Sequence, residues 1–528
     1  MSKKKIEYEI EYEHHARYDR MVGRMKRHEY PMLKGITYLD YAGTALPCSS
    51  LIQDFSEQLN KRLISNTHSA LAWTPTSPQA IVDTTRRDVL ALFNASPAHW
   101  EVVFTSNATG AVKLVAEALG GHEEGFDYYY HRDCHTSLVG VRELASNSHC
   151  LTSDQETEAW LDCPDNSSTR PTLLAYPAQS NMNGRRLPLH WSSRIRESTG
   201  HANSYTLLDI AALASTTSID LSNQATGPDF LTLSFYKIYG FPDLGALIVR
   251  KSASHLFSKR RYFGGGTTDS ISKSWVLRKS TSLAASLEDG TLPTHNILAL
   301  QCAIKTHARL YGGLSSISQH VSWLAQSLYS QLSSLRHANG QPVCTIYKDS
   351  SSSYDDSKTQ GGVVAFNIFD AFGKCFPTSR VAALALQNGI HLRAGGLCNP
   401  QGMAHALGFS DEQVYEAFEA GYRCGQDAGP EGRPFGMVRV SLGASSVMED
   451  VQVFIEFIRR EFMGQKGKGV RGVWWNAVLI KARQRGKNGV GGVEGYEKSK
   501  SGDSESEDGS AKTRKEVGCM GMVIKRFA

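Results

Sequence analysis

Short apolar runs separated by Gly, Ser, Asn and Asp dominate the first half of the chain after residue 36. Residues 102–104 (VVF), 172–177 (TLLAYP), 205–211 (YTLLDIA), 229–235 (DFLTLSF) and 245–250 (GALIVR) read as buried strands, because they are short, apolar and bounded by turn residues. Between several of them the apolar spacing becomes helical, as at Gly110–Leu119 and Trp191–Glu197. Strands alternating with helices predict an α/β fold with a mostly parallel sheet. After Gly290 the pattern changes. Helical stretches at Asn296–Leu310 and Ser316–Leu335 lead into VVAFNIF, a helix at Ser379–Asn388, GIHLRAG and the strand MVRVSLG. That order predicts a smaller α+β domain ending near Phe462. The expected organisation is a polar, helical N-terminal arm (1–35), a large domain (36–295), a small C-terminal domain (296–462) and a tail (463–528).

The tail differs in kind. It is rich in Gly and Lys, then low in complexity and charged. Such text rarely buries enough surface to fold alone, so disorder is expected there. Its one apolar island, VWWNAVLI with Trp474 and Trp475, reads either as an extra terminal helix or as a docking segment.

Composition narrows the class. The 528 residues are 41% hydrophobic and 21% charged, which excludes a disordered or fibrous chain. The length also exceeds what one hydrophobic core normally serves. The net charge of +5 comes from 57 basic and 52 acidic residues. From Gly464 onward there are 14 basic and 7 acidic, leaving 43 and 45 for the first 463 residues. The folded part is thus close to neutral, and no nucleic-acid partner is expected for it. Ten cysteines form no CxxC pair, so no metal site is expected. The N-terminus lacks the apolar core of a signal peptide, and no run reaches the roughly 18 apolar residues of a membrane span. A reducing, cytoplasmic setting with free thiols and no membrane partner is the expectation.

The candidate chemistry starts at the strand DFLTLSFYKIYG, which runs into Ser234-Phe235-Tyr236-Lys237 and then Gly240. Burial disfavours a lysine's charge and lowers its pKa, which is what a Schiff-base lysine needs. Alone, a strand-end lysine is more often structural. Its neighbours change that reading. Asp209 ends the strand YTLLD, where a carboxylate could pair with a pyridinium nitrogen or simply cap a helix. The turn Ser106-Asn107-Ala108-Thr109-Gly110 between strand and helix puts backbone N–H groups at a helix N-terminus, a ready phosphate site. It lacks the lysine of a P-loop, so ATP is not the expected ligand. His135 could stack on a flat ring.

The segments FTSNATGAVKLVAEAL, DCHTSLVGVRE, YPAQSNMNGRRLPL, LLDIAA, LSFYKIYGFPDLGALIVR, YFGGGT and LEDGT occur in this order. They resemble the aminotransferase-like domain of the molybdenum cofactor sulfurases, within the class V pyridoxal-phosphate (PLP) family that includes cysteine desulfurases. The resemblance runs from about Ile36 to Glu461 and implies a fold type I PLP enzyme. It implies that Lys237 carries PLP, that Asp209 partners the pyridine nitrogen, and that His135 stacks on the ring. Asn181 would lie near the phenolic oxygen, while Ala108, Thr109 and Ser234 would contact the phosphate. Thr267, after three glycines, would serve the phosphate of a second subunit, which implies a homodimer. Arg439 would grip the substrate carboxylate, with Arg393 nearby. Cys398, in HLRAGGLCNP, matches the persulfide-forming cysteine.

The implied reaction takes sulfur from L-cysteine, releases alanine and passes the sulfur to the molybdenum cofactor or a protein carrying it. Departures are also visible. Tyr236 and Ala212 stand where desulfurases usually carry His and Gln, which suits the sulfurase branch. Gly396 and Met403 stand where sulfurases commonly have further cysteines, so a relay of neighbouring thiols is not expected. Full sulfurases continue into a cofactor-binding domain, and the text after Phe462 does not read as one. Two alternatives remain open at this point. One is another class V PLP enzyme, such as a general cysteine desulfurase, a C–S or selenocysteine lyase, or an epimerase. The other is a non-catalytic partner subunit.

Overall fold

The central feature is a seven-stranded sheet formed by β1 (Trp100–Thr105), β2 (Asp127–His131), β3 (Asn147–Leu151), β4 (Thr172–Pro177), β5 (Ser204–Asp209), β6 (Phe230–Ser234) and β7 (Gly245–Arg250). The computed structural model describes residues 3–67, 74, 77–163, 169–421, 423 and 433–463, with backbone alone over 3–11. The spatial order is β1-β7-β6-β5-β4-β2-β3. Strands β3, β2, β4, β5 and β6 pair in parallel, and β7 is antiparallel to both β6 and β1. The fold is the mostly parallel α/β architecture that the alternating pattern predicts.

Continuous apolar runs arise because the sheet is covered on both faces. Leu231 and Leu233 of β6 pack in one cluster with Trp191 and Ile297, while Phe230 packs in another with Val112 and Phe257. Val102 and Val103 of β1 divide the same way. Side chains alternate across a strand, so each face needs its own apolar set. Burying each such Leu or Val contributes about 1.5–3 kcal/mol.

A second sheet holds β8 (Cys344–Ile346), β9 (Val363–Ile368), β10 (Arg393–Gly395) and β11 (Met437–Ser441) in the order β8-β9-β11-β10, all antiparallel. Helices Leu314–Ser334 and Met448–Phe462 contribute to its core. The N-terminal helix, Lys3–Glu29, packs here through Val22. Lys26 Nζ reaches both oxygens of Asp450 at 2.7 Å, and Asp19 Oδ1 accepts from the Met448 N–H at 2.8 Å. Both cores lie within one compact unit, Met1–Gln465. Among the described residues no helix is long and apolar enough to cross a membrane. The sequence-predicted tail from residue 464 onward, with Trp474 and Trp475, lies outside the described residues.

One buried group links this core to pH. His320 is 1% exposed, and its Nε2 bonds the Ser446 carbonyl at 2.9 Å. Burial pushes its pKa down to about 4 against the opposing pull of that carbonyl. An unfolded histidine titrates near 6.5, so the unfolded chain binds the extra proton between the two values. Stability from this group is therefore complete above about pH 6.5 and lost as pH falls towards 4, by about 3 kcal/mol. His320→Gln keeps a donor for Ser446 but takes up no proton. It is expected to flatten the acid limb of urea stability between pH 6.5 and 4.5; an unchanged limb contradicts the assignment.

Candidate active site

The sequence-predicted residues converge at one edge of the large sheet. Strand β2 leads to His135, β4 to Asn181, β5 ends at Asp209, and β6 ends at Ser234 just before Lys237. The crevice beyond the carboxyl ends of parallel strands is where α/β sheets bind ligands. Lys237 lies one residue into a short turn of helix, Tyr236–Tyr239, and not on the strand itself. Gly240 closes that turn at φ 76°, and a Cβ there would lie 2.1 Å from the Leu46 backbone.

The helix Ala108–Leu119 starts at the same edge. Asn107 caps it, accepting from the Gly110 N–H at 3.0 Å. The Ala108 N–H donates to Ser234 Oγ at 2.9 Å, so the helix start and the end of β6 present a hydroxyl and an amide side by side. Gly245 allows this approach, since a Cβ there would lie 2.5 Å from the Asn107 backbone. Thr109 is exposed on the first turn. Helix N-termini carry partial positive charge, so this cradle suits an anion.

Three ionisable groups face one another beside it. Burial lowers the Lys237 pKa; Asp209, Cys398 and Asp40 oppose that shift, and Arg439 adds to it. His135 is likewise lowered by burial, with Asp209 opposing and Lys237 and Arg439 reinforcing. Its Nδ1 accepts from the Ser137 N–H at 3.1 Å, which makes Nε2 the protonated nitrogen of the neutral ring. Asp209 is 9% exposed, and its Oδ1 accepts from the Ala211 N–H at 2.9 Å. It therefore makes a local turn with one oxygen only.

The carboxylate-binding candidate, Arg439, sits on β11 and is 3% exposed. Its Nη1 donates to the Asn181 carbonyl at 2.9 Å and its Nη2 to Asp40 Oδ1 at 2.7 Å. Its Nε is buried without a partner, which is costly for a charged group. Burial lowers its pKa; Asp40 opposes and Arg393 reinforces. Arg393 is exposed and lies directly across from Arg439 in the β10–β11 pairing.

Cys398 is exposed, in a loop that starts after β10. Leu397 and Cys398 have φ of 54° and 55°, and the left-handed region costs a non-glycine residue about 1–2 kcal/mol. Loop carbonyls are nonetheless all engaged. Gly396 accepts from the Asn399 N–H at 3.2 Å, and Cys398 from the Thr136 N–H at 3.0 Å. Leu397 accepts from Asn181 Nδ2 at 2.7 Å. The strain yields a stability test: Cys398→Gly should exceed Cys398→Ala by about 1 kcal/mol in urea unfolding, because alanine keeps the penalty. Equal stabilities would contradict the strained conformation.

The site is thus assembled from His135, Asn181, Asp209, Ser234, Lys237, Cys398 and Arg439. Thr267 is placed differently. It is fully buried, and its hydroxyl donates to the Gly264 carbonyl at 2.7 Å. Among the described residues no group of His, Cys, Asp or Glu has the arrangement of a metal site.

Residues 37–454 match the family described as Aminotransferase class-V. The chain belongs to the aminotransferase class-V family. Within the class-V family, the chain is 48% identical over 460 residues to the molybdenum cofactor sulfurase of Aspergillus terreus. That match covers 86% of this chain and 55% of the relative, so the chain spans about half the length of the curated relatives it matches. Among solved structures, the cysteine desulfurase of Thermococcus onnurineus NA1 superposes with a TM-score of 0.65 at 19% identity, covering 83% of this chain and 97% of that one. The cysteine desulfurase CsdA of Escherichia coli gives 0.62 at 18% identity, covering 83% and 98%. These class-V structures share the fold.

The residues present fit the PLP that the class-V family implies. An anion cradle, a pKa-lowered lysine, a neutral histidine and a carboxylate with one oxygen uncommitted to its own turn all meet at one edge.

Sequence reasoning missed three contributors. Asp40 holds Arg439, yet nothing in YLDYAG marks it. Arg185, 2% exposed, pairs with Asp133 at 3.3 Å and also with Asp154, under the turn that carries His135. Asn399 is fully buried and bonds three partners. For Asn399 a signal existed: Asn followed by Pro reads as a helix cap.

Proposed function

We propose that the chain is a PLP-dependent enzyme that takes sulfur from L-cysteine, holds it as a persulfide on Cys398 and delivers it to the molybdenum cofactor or a protein carrying it. The observation that carries this reading is the 3.0 Å bond from the Thr136 N–H to the Cys398 carbonyl, which ties the residue bearing an exposed thiol to the residue after His135. PLP, when bound, supplies an electron sink for the pair released at the substrate Cα.

The chain's own residues do the rest. Lys237 holds PLP, and its amine, with its charge disfavoured by burial, moves the Cα proton. Asp209, with one oxygen not used by its own turn, would partner the ring nitrogen. His135 would cover the ring face, and Asn181 would lie near the phenolic oxygen. Thr109 and Ser234 would hold the phosphate at the helix start, where the Ala108 N–H fixes the Ser234 hydroxyl. Arg439, whose Nε lacks a partner, takes the substrate carboxylate, and Arg393 adds positive charge. Cys398 thiolate attacks the substrate sulfur; an S–S bond forms, the C–S bond breaks, and its electron pair passes to Cβ, which is then protonated. Cys398–SH and L-cysteine become Cys398–S–SH and L-alanine, so atoms and electrons balance without an outside oxidant.

A homodimer is part of this reading. The Thr267 hydroxyl precedes a hairpin, Thr268–Ile271 with Val276–Arg278, whose Ile271, Trp275 and Leu277 are all more than half exposed. A second copy would cover these side chains; Thr267 itself is buried with its hydroxyl on the Gly264 carbonyl, so the exposed hairpin and not that hydroxyl supports the dimer. The molybdenum acceptor rests on the name of the Aspergillus terreus relative, and a cytoplasmic setting on the free thiols.

The test is Cys398→Ala with PLP and L-cysteine. Alanine formation should fall at least about 100-fold, with no persulfide formed. Full-rate alanine and sulfide release would favour a C–S lyase or another class V reaction that needs Lys237 without a nucleophilic cysteine.

A further inference from the structure

The Cys398 loop is fastened to the turns beside the ring site by one side chain that no motif assigned. Asn399 uses its carboxamide three times. Its Oδ1 accepts from the Gly402 N–H at 3.1 Å, capping the helix Pro400–Leu407. Its Nδ2 donates to the Asp133 carbonyl at 2.9 Å and to Asn181 Oδ1 at 3.1 Å. Asn181 returns a bond to the Leu397 carbonyl, and Asp133 lies two residues before His135. The Asp133 side chain is itself held by Arg185. The result is a closed ring of bonds joining the His135 turn, the Asn181 turn and the loop. Two left-handed residues persist only where the surroundings over-determine them, and this ring does so.

We propose that Asn399 is a positioning residue: its carboxamide holds the Cys398 thiol in register with His135 and Asn181, at the place where the substrate sulfur arrives. This rests on the persulfide reading of Cys398 and adds the group that sets its geometry. A capping role alone is a different claim, and chemistry separates the two. Ser caps helices about as well as Asn, but a serine hydroxyl cannot span to both Asp133 and Asn181.

The experiment uses the PLP-loaded protein and three readouts. These are persulfide formation on Cys398 with L-cysteine, followed by mass spectrometry; exchange of the L-alanine Cα hydrogen in D2O, which needs no Cys398; and iodoacetamide alkylation of Cys398 without substrate. Asn399→Ser should slow persulfide formation about ten-fold or more, since small misplacements of reacting groups are costly. Alanine exchange should stay within about two-fold, and alkylation should be no slower than in the unsubstituted protein. Thr136→Pro supplies a second variant that leaves Asn399 intact. It removes the N–H that holds the Cys398 carbonyl, at the first position of a helix where proline is tolerated and after a residue whose ψ of 150° suits one. The same split is expected, and this variant carries the test if Asn399→Ser does not fold. Persulfide formation within two-fold of the unsubstituted rate, or a parallel loss of alanine exchange, overturns the proposal. An unsubstituted protein that exchanges alanine but forms no Cys398 persulfide overturns the persulfide reading, and the proposal falls with it.

Discussion

Lys237→Ala should abolish the visible absorbance of covalently held PLP and lower alanine formation by about 10³-fold or more, while leaving the fold intact. The loss is large because one amine is asked both to hold PLP and to move the Cα proton, and proton transfer by a positioned group alone contributes about 10²–10⁴-fold. The fold survives for an electrostatic reason. Burial disfavours the ammonium here, and only Asp209, Asp40 and Cys398 oppose that cost. Removing the amine therefore removes a poorly solvated charge. Absorbance titration with added PLP, alanine assay and urea unfolding read the three parts separately. Alanine formation that survives with PLP only loosely bound would show that the proton is moved by another group.

Arg439→Lys is the second large effect, although it keeps the charge. The guanidinium serves Asn181 and Asp40 in fixed directions and keeps Nε for a third partner. An ammonium is a point charge that cannot hold this planar set. The expected result is a KM for L-cysteine raised about 100-fold, the worth of one lost charge-assisted hydrogen bond, with a smaller change in kcat. Arg439→Ala adds a stability loss of about 3 kcal/mol, since it leaves Asp40 without its cation in a part-buried position. An unchanged KM in Arg439→Lys would move the carboxylate site elsewhere, with exposed Arg393 the next residue to substitute.

The strands that the apolar runs predict all appear, because each is buried on both faces and so announces itself locally. Two strands of the large sheet escaped that reading. Asp127–His131 is three tyrosines between Asp and His, and Asn147–Leu151 is mostly exposed and polar. They form one side of the sheet: the first is buried but spelled in tyrosines with polar ends, and the second is the exposed edge strand, so neither shows an aliphatic run. The first of them carries His135 to the site, so its residue was legible before its strand was.

At the site, the residues set in strand–turn–helix motifs were recognisable: Lys237, Asp209, His135, Asn181 and the Ala108 turn. Cys398 was singled out by the resemblance of its segment, HLRAGGLCNP. Their coupling was not. Asp40 meets Arg439 across 399 residues, and Asn399 meets Asp133 across 266. Thr267 carries no contact with the other site residues that a single chain could reveal.

The sequence by itself determined the layered α/β fold and the family. These rest on periodicity and local motifs, which act over a few residues. Only the tertiary structure decided which of Arg439's donors are taken, that Lys237 sits in a helical turn rather than on its strand, and that the Cys398 loop is pinned to the ring-side turns in a strained conformation. Those features depend on hydrogen bonds between distant segments and on burial from every side, and neither is written in any one stretch of the chain.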